Sequence, residues 1–365
     1  MTRENIAALI QKHEKIREEG LNLVASENWL SQQVKKALAS DLAGRYHSNY
    51  YGGTMYTQEL ITTVEELAKE LFDVKHALVT PLSGNICDLT VLFSFTDVDD
   101  RVAILPFTAG GYPLGLEKFQ RKRVSFPNTP GTFDIDVPRC ENLFQQPVAL
   151  NVLGSSYIPF PHPVKEISEL NPEGLTVYDG SHILGLLACG EFQRPLKEGA
   201  EILIGSTHKS FYGPQGGIIL TDSYEHAEAM RFYLDVDENT GIGFVDNPHP
   251  NRIAALGAAV EEMLDHQDYG KNIVANSKAL GRALDELGIP IRFSSRDYSE
   301  SHQLFFDIPA EKGPFLCQLL EEEGIFIDVS GRFGTSEVTH RGMTPEDMDE
   351  IAHKIADAFP SNLRA

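Results

Sequence analysis

No two of the four cysteines stand close enough in sequence to form a metal or redox motif. Cys87, Cys140, Cys189 and Cys317 lie 53, 49 and 128 residues apart, and no C-x-x-C spacing occurs. A chain of 365 residues buries a sufficient core without disulfides, so unpaired thiols in a reducing cytosol are expected. No run of 18 apolar residues is present, so no membrane span is expected. Met1-Thr2-Arg3-Glu4-Asn5 leads into a charged, helix-like stretch rather than the apolar core of a signal peptide, which points to a cytoplasmic protein. Positive charge is scarce: 31 Lys and Arg face 53 Asp and Glu, a net charge of −22. That excess repels phosphate and excludes a general nucleic-acid-binding role, and it is expected on the outer surface. The chain has no G-x-x-x-x-G-K-[ST] loop, no H-E-x-x-H and no G-x-S-x-G. His162 and His249 stand between prolines and read as loop residues, which leaves metal catalysis without support.

What is present is the composition of a folded α/β protein, 42% hydrophobic and 23% charged. Residues 4–19 read as an amphipathic helix with Ile6, Leu9, Ile10 and His13 on one face, an arm that docks on something else. Helices are expected over 30–43 and 59–73. From 76 to 222, short apolar runs alternate with helix-like or Gly/Pro-rich stretches: 77–80, 102–105, 148–152, 175–178, 202–204 and 217–220. Such runs predict a largely parallel sheet covered on both faces. A long helical pattern over 252–283 and an α+β tail follow, with strands expected at 289–293 and 303–307. Thr344-Pro345-Glu346-Asp347 caps a last helix with Met348, Ile351, Ile355 and Phe359 on its buried face. The expected organisation is an arm (1–30), a large domain (31–250), and a linking helix with a small C-terminal domain (251–365), the break falling near 250–285.

Two segments stand out as chemistry. Tyr178-Asp179-Gly180-Ser181-His182 and Ser206-Thr207-His208-Lys209-Ser210 each follow an apolar strand, at the edge where ligands bind in open α/β sheets. Alone, Asp179 reads as a turn former and Lys209 as a solvated loop residue. Together, 30 residues apart, they match a pyridoxal phosphate (PLP) site: the lysine amine forms a Schiff base, and the aspartate keeps the ring nitrogen protonated. Pro81-Leu82-Ser83-Gly84-Asn85 opens an apolar helix-like run, as a phosphate site requires. Gly213-Pro214-Gln215-Gly216-Gly217 follows the lysine loop and precedes a strand, the wrong context for a dinucleotide fingerprint.

These blocks occur in order with Leu23-Val24-Ala25-Ser26-Glu27-Asn28, Tyr50-Tyr51-Gly52-Gly53 and Arg332-Phe333-Gly334-Thr335. The chain resembles serine hydroxymethyltransferase from about residue 5 to 359. It is most similar to the archaeal branch, given Gly154-Ser155-Ser156-Tyr157-Ile158-Pro159-Phe160-Pro161-His162-Pro163. The resemblance implies PLP fold type I, with a mostly parallel sheet of the seven-stranded type and a small C-terminal domain. It also implies roles. Lys209 holds the internal aldimine, Asp179 the pyridinium nitrogen, and His182 and Ser156 the ring oxygen or substrate. Ser83, Gly84 and Asn85 hold phosphate, while Ser206 and His208 support the lysine loop. Arg332 clamps the substrate carboxylate, assisted by Ser26. Tyr46 and Tyr51 reach the neighbouring subunit's site, so a homodimer with shared sites is the minimum unit, and the resemblance leaves dimer and tetramer both open.

The chain departs from the family at its pterin half. Arg45-Tyr46-His47-Ser48-Asn49-Tyr50-Tyr51 is about five residues shorter than the family pattern and lacks its acid/base glutamate, leaving His47 or Ser48 as the proton shuttle. Tyr112 stands where the family stacks a histidine on the ring, and the turn that touches the partner's phosphate becomes Thr240-Gly241-Ile242-Gly243-Phe244. Ile325-Phe326-Ile327-Asp328-Val329-Ser330-Gly331 runs directly into Arg332 without the family's asparagine loop, and the chain is short for the family. The expected activity is making or breaking the Cα–Cβ bond of a β-hydroxy amino acid, with glycine as product or donor, as a pterin-independent aldolase or transaldolase. The alternatives are tetrahydropterin-dependent one-carbon transfer, another PLP reaction (transamination, racemisation, β-elimination), and a catalytically dead PLP-binding homologue.

Overall fold

The computed structural model describes residues 5–236 and 239–364. In chain order the first strands are β1 (Leu21–Asn22), β2 (His76–Leu78), β3 (Arg101–Ile104), β4 (Lys122–Ser125), β5 (Leu150–Gly154) and β6 (Leu175–Asp179). They are followed by β7 (Ile202–Ser206), β8 (Gly217–Thr221), β9 (Gln303–Phe305), β10 (Ile325–Phe326) and β11 (Arg332–Gly334). The chain divides into two compact units, Leu30–Lys271 and a second that joins Met1–Trp29 to Asn272–Ala365.

The unit Leu30–Lys271 is built on a seven-stranded sheet of order β2-β8-β7-β6-β5-β3-β4. Only β8 runs against its neighbours, β2 and β7; the pairs from β7 across to β4 are parallel. The central strands β5, β7 and β8 are buried at every residue, as nearly continuous Val, Ile and Leu runs require when both faces are covered. Helix α4 of this unit (Gly84–Phe95) packs on β7 and β8, and its Leu92 shares a core with Ile104, Val177, Ile204 and Met230. The edge strand β4, Lys122-Arg123-Val124-Ser125, was not anticipated. It is mostly exposed and polar, so it carries no apolar signature.

Helix α3 (Met55–Phe72) begins earlier than the 59–73 expected, and the 30–43 stretch resolves into helix α2 (Gln32–Leu38) followed by a 3₁₀ turn, Asp41–Gly44. Both helices pack on Pro250–Asp265. A Cβ at Gly257 would stand 2.6 Å from Val64 Cγ2, so glycine permits that close approach. The single long helix expected over 252–283 is two, Pro250–Asp265 and Tyr269–Glu286, separated at His266-Gln267-Asp268.

In the second unit β1 pairs parallel with β10, and β9 antiparallel with β11. The last helix, Met348–Ala358, buries Met348, Ile351 and Ile355 behind the capping box of Thr344 and Asp347. Helix α1 (Ile6–Glu19) buries none of its residues. The expected strand at 289–293 is a single bridge, Ile291 to Phe306. Pro290 has no N–H to donate, and Phe293 takes a left-handed φ of 66°, so the run cannot extend a ladder.

His162 is a loop residue, as expected, and also a buried brace. Its Nδ1 accepts from Gly154 N–H at 3.0 Å, and Gln193 Oε1 accepts both His162 N–H at 3.0 Å and the Tyr178 hydroxyl at 2.6 Å. Burial lowers its pKa from 6.5 to about 4. The unfolded chain therefore binds a proton below 6.5 that the folded chain refuses until about 4. Stability should fall by about 3 kcal/mol as pH drops through that window, at about 1.4 kcal/mol per unit. Chemical denaturation at pH 7 and pH 4.5 should show this loss reduced in His162→Gln; an unchanged acid loss would contradict it.

Candidate active site

The carboxyl ends of β5, β6 and β7 and the start of α4 converge on one edge of the sheet. Asp179 closes β6 and is 6% exposed; its Oδ1 accepts from Ser181 N–H at 3.0 Å, which curls the chain into the turn that carries buried His182. The Ser181 hydroxyl accepts from Ser206 N–H at 3.0 Å and lies 3.3 Å from the Ser206 hydroxyl, so the ends of β6 and β7 are tied together. A Cβ at Gly84 would collide with Ser206 Oγ, so only glycine lets α4 begin against this pair.

The loop that carries Lys209 is braced on every side. Thr207 N–H donates to Gly216 O at 3.1 Å and its hydroxyl to Pro214 O at 2.6 Å. Ser210 Oγ accepts from Gly185 N–H at 3.1 Å, and Ser210 O accepts from the Tyr269 hydroxyl at 2.9 Å. His208 is half-buried, and burial together with the neighbouring Lys209 lowers its pKa to about 4, so it is a neutral imidazole at pH 7.

Ser83 caps α4: its hydroxyl accepts from Ile86 N–H at 3.3 Å, and its carbonyl from Cys87 N–H at 3.2 Å. The first two helical N–H groups, those of Gly84 and Asn85, are left without an acceptor among the described residues. Two N–H groups at the positive end of a twelve-residue helix are a fitting place for a phosphate. Arg252 fixes the strand that leads here, donating from Nη2 to Val79 O at 2.8 Å and Thr80 O at 3.2 Å, and from Nε to Pro248 O at 3.2 Å.

On the other side, Gly154 (φ +85°) and Ser155 (φ +116°) turn sharply after β5. A Cβ at Gly154 would collide with Asp179 O, and Ser155 N–H donates to that carbonyl at 3.0 Å. Ser155 Oγ and Ser156 N–H both donate to Gly110 O, at 2.5 and 3.0 Å, which brings the Gly110-Gly111-Tyr112 loop to the same edge. A non-glycine residue held at positive φ is the strained backbone expected at a functional site. Tyr112 is 40% exposed, and burial with the nearby Asp88 and Asp179 charges raises its pKa.

Thus Lys209, His208, Asp179, His182, Ser206, Ser83, Gly84, Asn85, Ser156 and Tyr112 come to one sheet edge. The remaining residues of the unit lie elsewhere in it. Tyr46 and Tyr51 stack on each other at 4.5 Å on an exposed loop. Asp235 Oδ1 accepts from the Thr80 hydroxyl at 3.4 Å, the His47 ring adds a small electrostatic pull on that carboxylate, and Gly243 abuts the Asp235 carbonyl. In the other unit, buried Arg332 opens β11 and donates from Nε to Asp328 Oδ2 at 2.6 Å. Gly334 N–H donates to Leu23 O at 2.8 Å and His302 Nε2 lies 3.0 Å from Ala25 O, so the Ser26 segment is held beside that strand. A buried carboxyl of α4, Asp88, was missed in the sequence; the signal available was a single acid inside an otherwise uncharged helix.

A family model described as Serine hydroxymethyltransferase matches residues 1–137 and 149–312. The chain belongs to the serine hydroxymethyltransferase family. Serine hydroxymethyltransferase of Methanobrevibacter smithii is 35% identical over 95% of this chain and 88% of its own length. That of Methanocaldococcus jannaschii is 36% identical over 94% and 86%. Among solved structures, an L-threonine transaldolase from Pseudomonas fluorescens, in its internal aldimine state, matches with a TM-score of 0.89 and 26% identity over 97% of this chain and 86% of that one. The protein is therefore a PLP-dependent enzyme of fold type I that acts on small amino acids. The edge fits that cofactor: the N–H groups of Gly84 and Asn85 suit its phosphate, the Gly84 and Ser206 cradle gives access, and Asp179 and Lys209 suit its ring nitrogen and aldehyde.

Arg252→Met removes the donors from three backbone carbonyls and should cost about 2–4 kcal/mol. A thermal melt of the apoprotein should show the loss, and the cofactor dissociation constant should rise because the strand before Ser83 loosens. A variant with wild-type melting and affinity would contradict this.

Proposed function

We propose that the protein makes or breaks the Cα–Cβ bond of a β-hydroxy amino acid, with glycine as product or donor and no pterin cosubstrate. The observation that carries this reading is the connection into Arg332. In place of the long family loop, Asp328 and Gly331 close a tight turn, with Gly331 N–H donating to Asp328 O at 3.1 Å and Asp328 N–H to Arg332 O at 3.2 Å. The Asp328 carboxylate then holds the guanidinium by its Nε. The Arg45–Tyr51 segment, which lacks the family glutamate, supports the same reading. So does the likeness to the L-threonine transaldolase of Pseudomonas fluorescens.

PLP, when bound, supplies a ring that withdraws electrons from Cα. Lys209 would hold its aldehyde, and the lysine amine would move a proton at the substrate Cα. Asp179 keeps the ring nitrogen protonated. Ser83, Gly84 and Asn85 hold phosphate; Ser206 and neutral His208 hold the lysine loop; Ser156, His182 and Tyr112 border the ring. The Nη groups of Arg332, oriented through Asp328 and assisted by Ser26, take the substrate carboxylate. That grip would fix the orientation of the substrate Cα. Tyr46 and Tyr51, exposed and stacked, serve the site of a second copy in a homodimer, with Gly243 at that copy's phosphate. His47, on the same loop as those tyrosines, takes the proton of the β-hydroxyl in place of the missing glutamate.

A second reading, hydroxymethyl transfer to a tetrahydropterin, is favoured by the names of the archaeal relatives. The purified holoenzyme should release glycine from L-threonine, or exchange its aldehyde, at a rate that a tetrahydropterin does not change. Glycine formation from serine only with a tetrahydropterin would overturn the pterin-free reading. Lys209→Ala should lose the visible absorbance of bound cofactor. Arg332→Lys should raise KM for the amino acid on the order of 10- to 100-fold, the weight of one charged hydrogen bond.

A further inference from the structure

Asp88 is a buried carboxyl that the site above does not use. It lies one helical turn beyond Gly84 on α4, on the face that meets Ser206 and Ser181. Side chains on a helix lean toward its start, so this carboxyl leans back toward the sheet edge. Asp88 is 9% exposed, and its Oδ1 has no hydrogen-bond partner among the described residues. The charged groups it feels are Asp179 at the end of β6 and Lys209 on the loop after β7. The Tyr112 phenol and the adjoining Cys87 thiol feel it in turn.

A second ionised carboxylate here would be largely buried within the field of Asp179, a costly arrangement that only Lys209 opposes. Burial first, and the Asp179 charge second, push the Asp88 carboxyl well above the usual carboxylate range. We propose that Asp88 is a positioning residue that keeps its proton at neutral pH, leaving Asp179 the single negative charge at the ring-nitrogen end of the cofactor site. Raising the pH removes that proton and places a second negative charge there, so the electronic state of bound PLP gains a titration step that belongs to Asp88. This rests on the assignment of Asp179 to the ring nitrogen under Proposed function. The protonation of Asp88 itself does not.

The test has two arms. Infrared spectra of the apoprotein at pH 7 should show a protonated carboxyl band that is absent in Asp88→Asn, a near-isosteric neutral variant. In Asp179→Asn the same band should titrate away at a pH about one unit or more lower, because the like charge has gone. In the holoenzyme, the visible absorbance of bound cofactor should show an alkaline step in wild type that Asp88→Asn lacks. No acid band at pH 7, an unmoved midpoint in Asp179→Asn, or identical absorbance titrations of wild type and Asp88→Asn would each overturn the proposal. A wild-type chain that takes up no PLP overturns the reading under Proposed function instead, and the apoprotein arm still decides Asp88.

Discussion

The tie between the ends of β6 and β7 is the constraint on which the rest of the site depends. Ser181 accepts from Ser206, and Gly84, having no side chain, lets α4 start directly on that pair. Remove the tie and three groups lose their common origin: the carboxylate of Asp179, the loop of Lys209 and the N–H groups of the α4 start. Hydroxyls are suited to this work because each both donates and accepts, satisfying buried backbone without adding charge. The buried parallel strands behind them bring Asp179 and the loop of Lys209 off neighbouring strands.

Charge follows from the same geometry. The chain carries −22 overall, yet the phosphate site proposed at the α4 start calls for local positive potential. The two unpaired N–H groups provide local positive potential at no cost in titratable charge. Against them stand two buried carboxyls, Asp88 and Asp179. The first is pushed toward its neutral form by burial and by the second, so the inner end of the site need not carry both charges. His208, neutral beside Lys209, likewise avoids setting a second cation against the lysine.

Much of this was legible in the sequence because the signals were local. Val102-Ala103-Ile104, Ile202-Leu203-Ile204 and Gly217-Ile218-Ile219-Leu220 are short β-branched runs, and each became a strand of the large sheet. The segments around Asp179 and Lys209 followed such runs and so fell on the sheet edge. The failures also have causes. β4 is an exposed edge strand with only Val124 apolar, while Ile289–Phe293 is apolar but interrupted by Pro290 and a left-handed Phe293. Asp88 was hidden because only the packing of α4 on β7 and β8 reveals that an acid there is buried. The brace from Arg252 to Val79 and Thr80 spans more than 170 residues of chain and has no sequence signature.

We propose that Lys209, on the braced loop after β7, is the one lysine that bonds the cofactor. Reducing the PLP-loaded protein with borohydride fixes that bond as a stable secondary amine, and peptide mass mapping then locates it. The added pyridoxyl mass is expected on Lys209 alone. Label on another lysine, or none after loading with PLP, would contradict it.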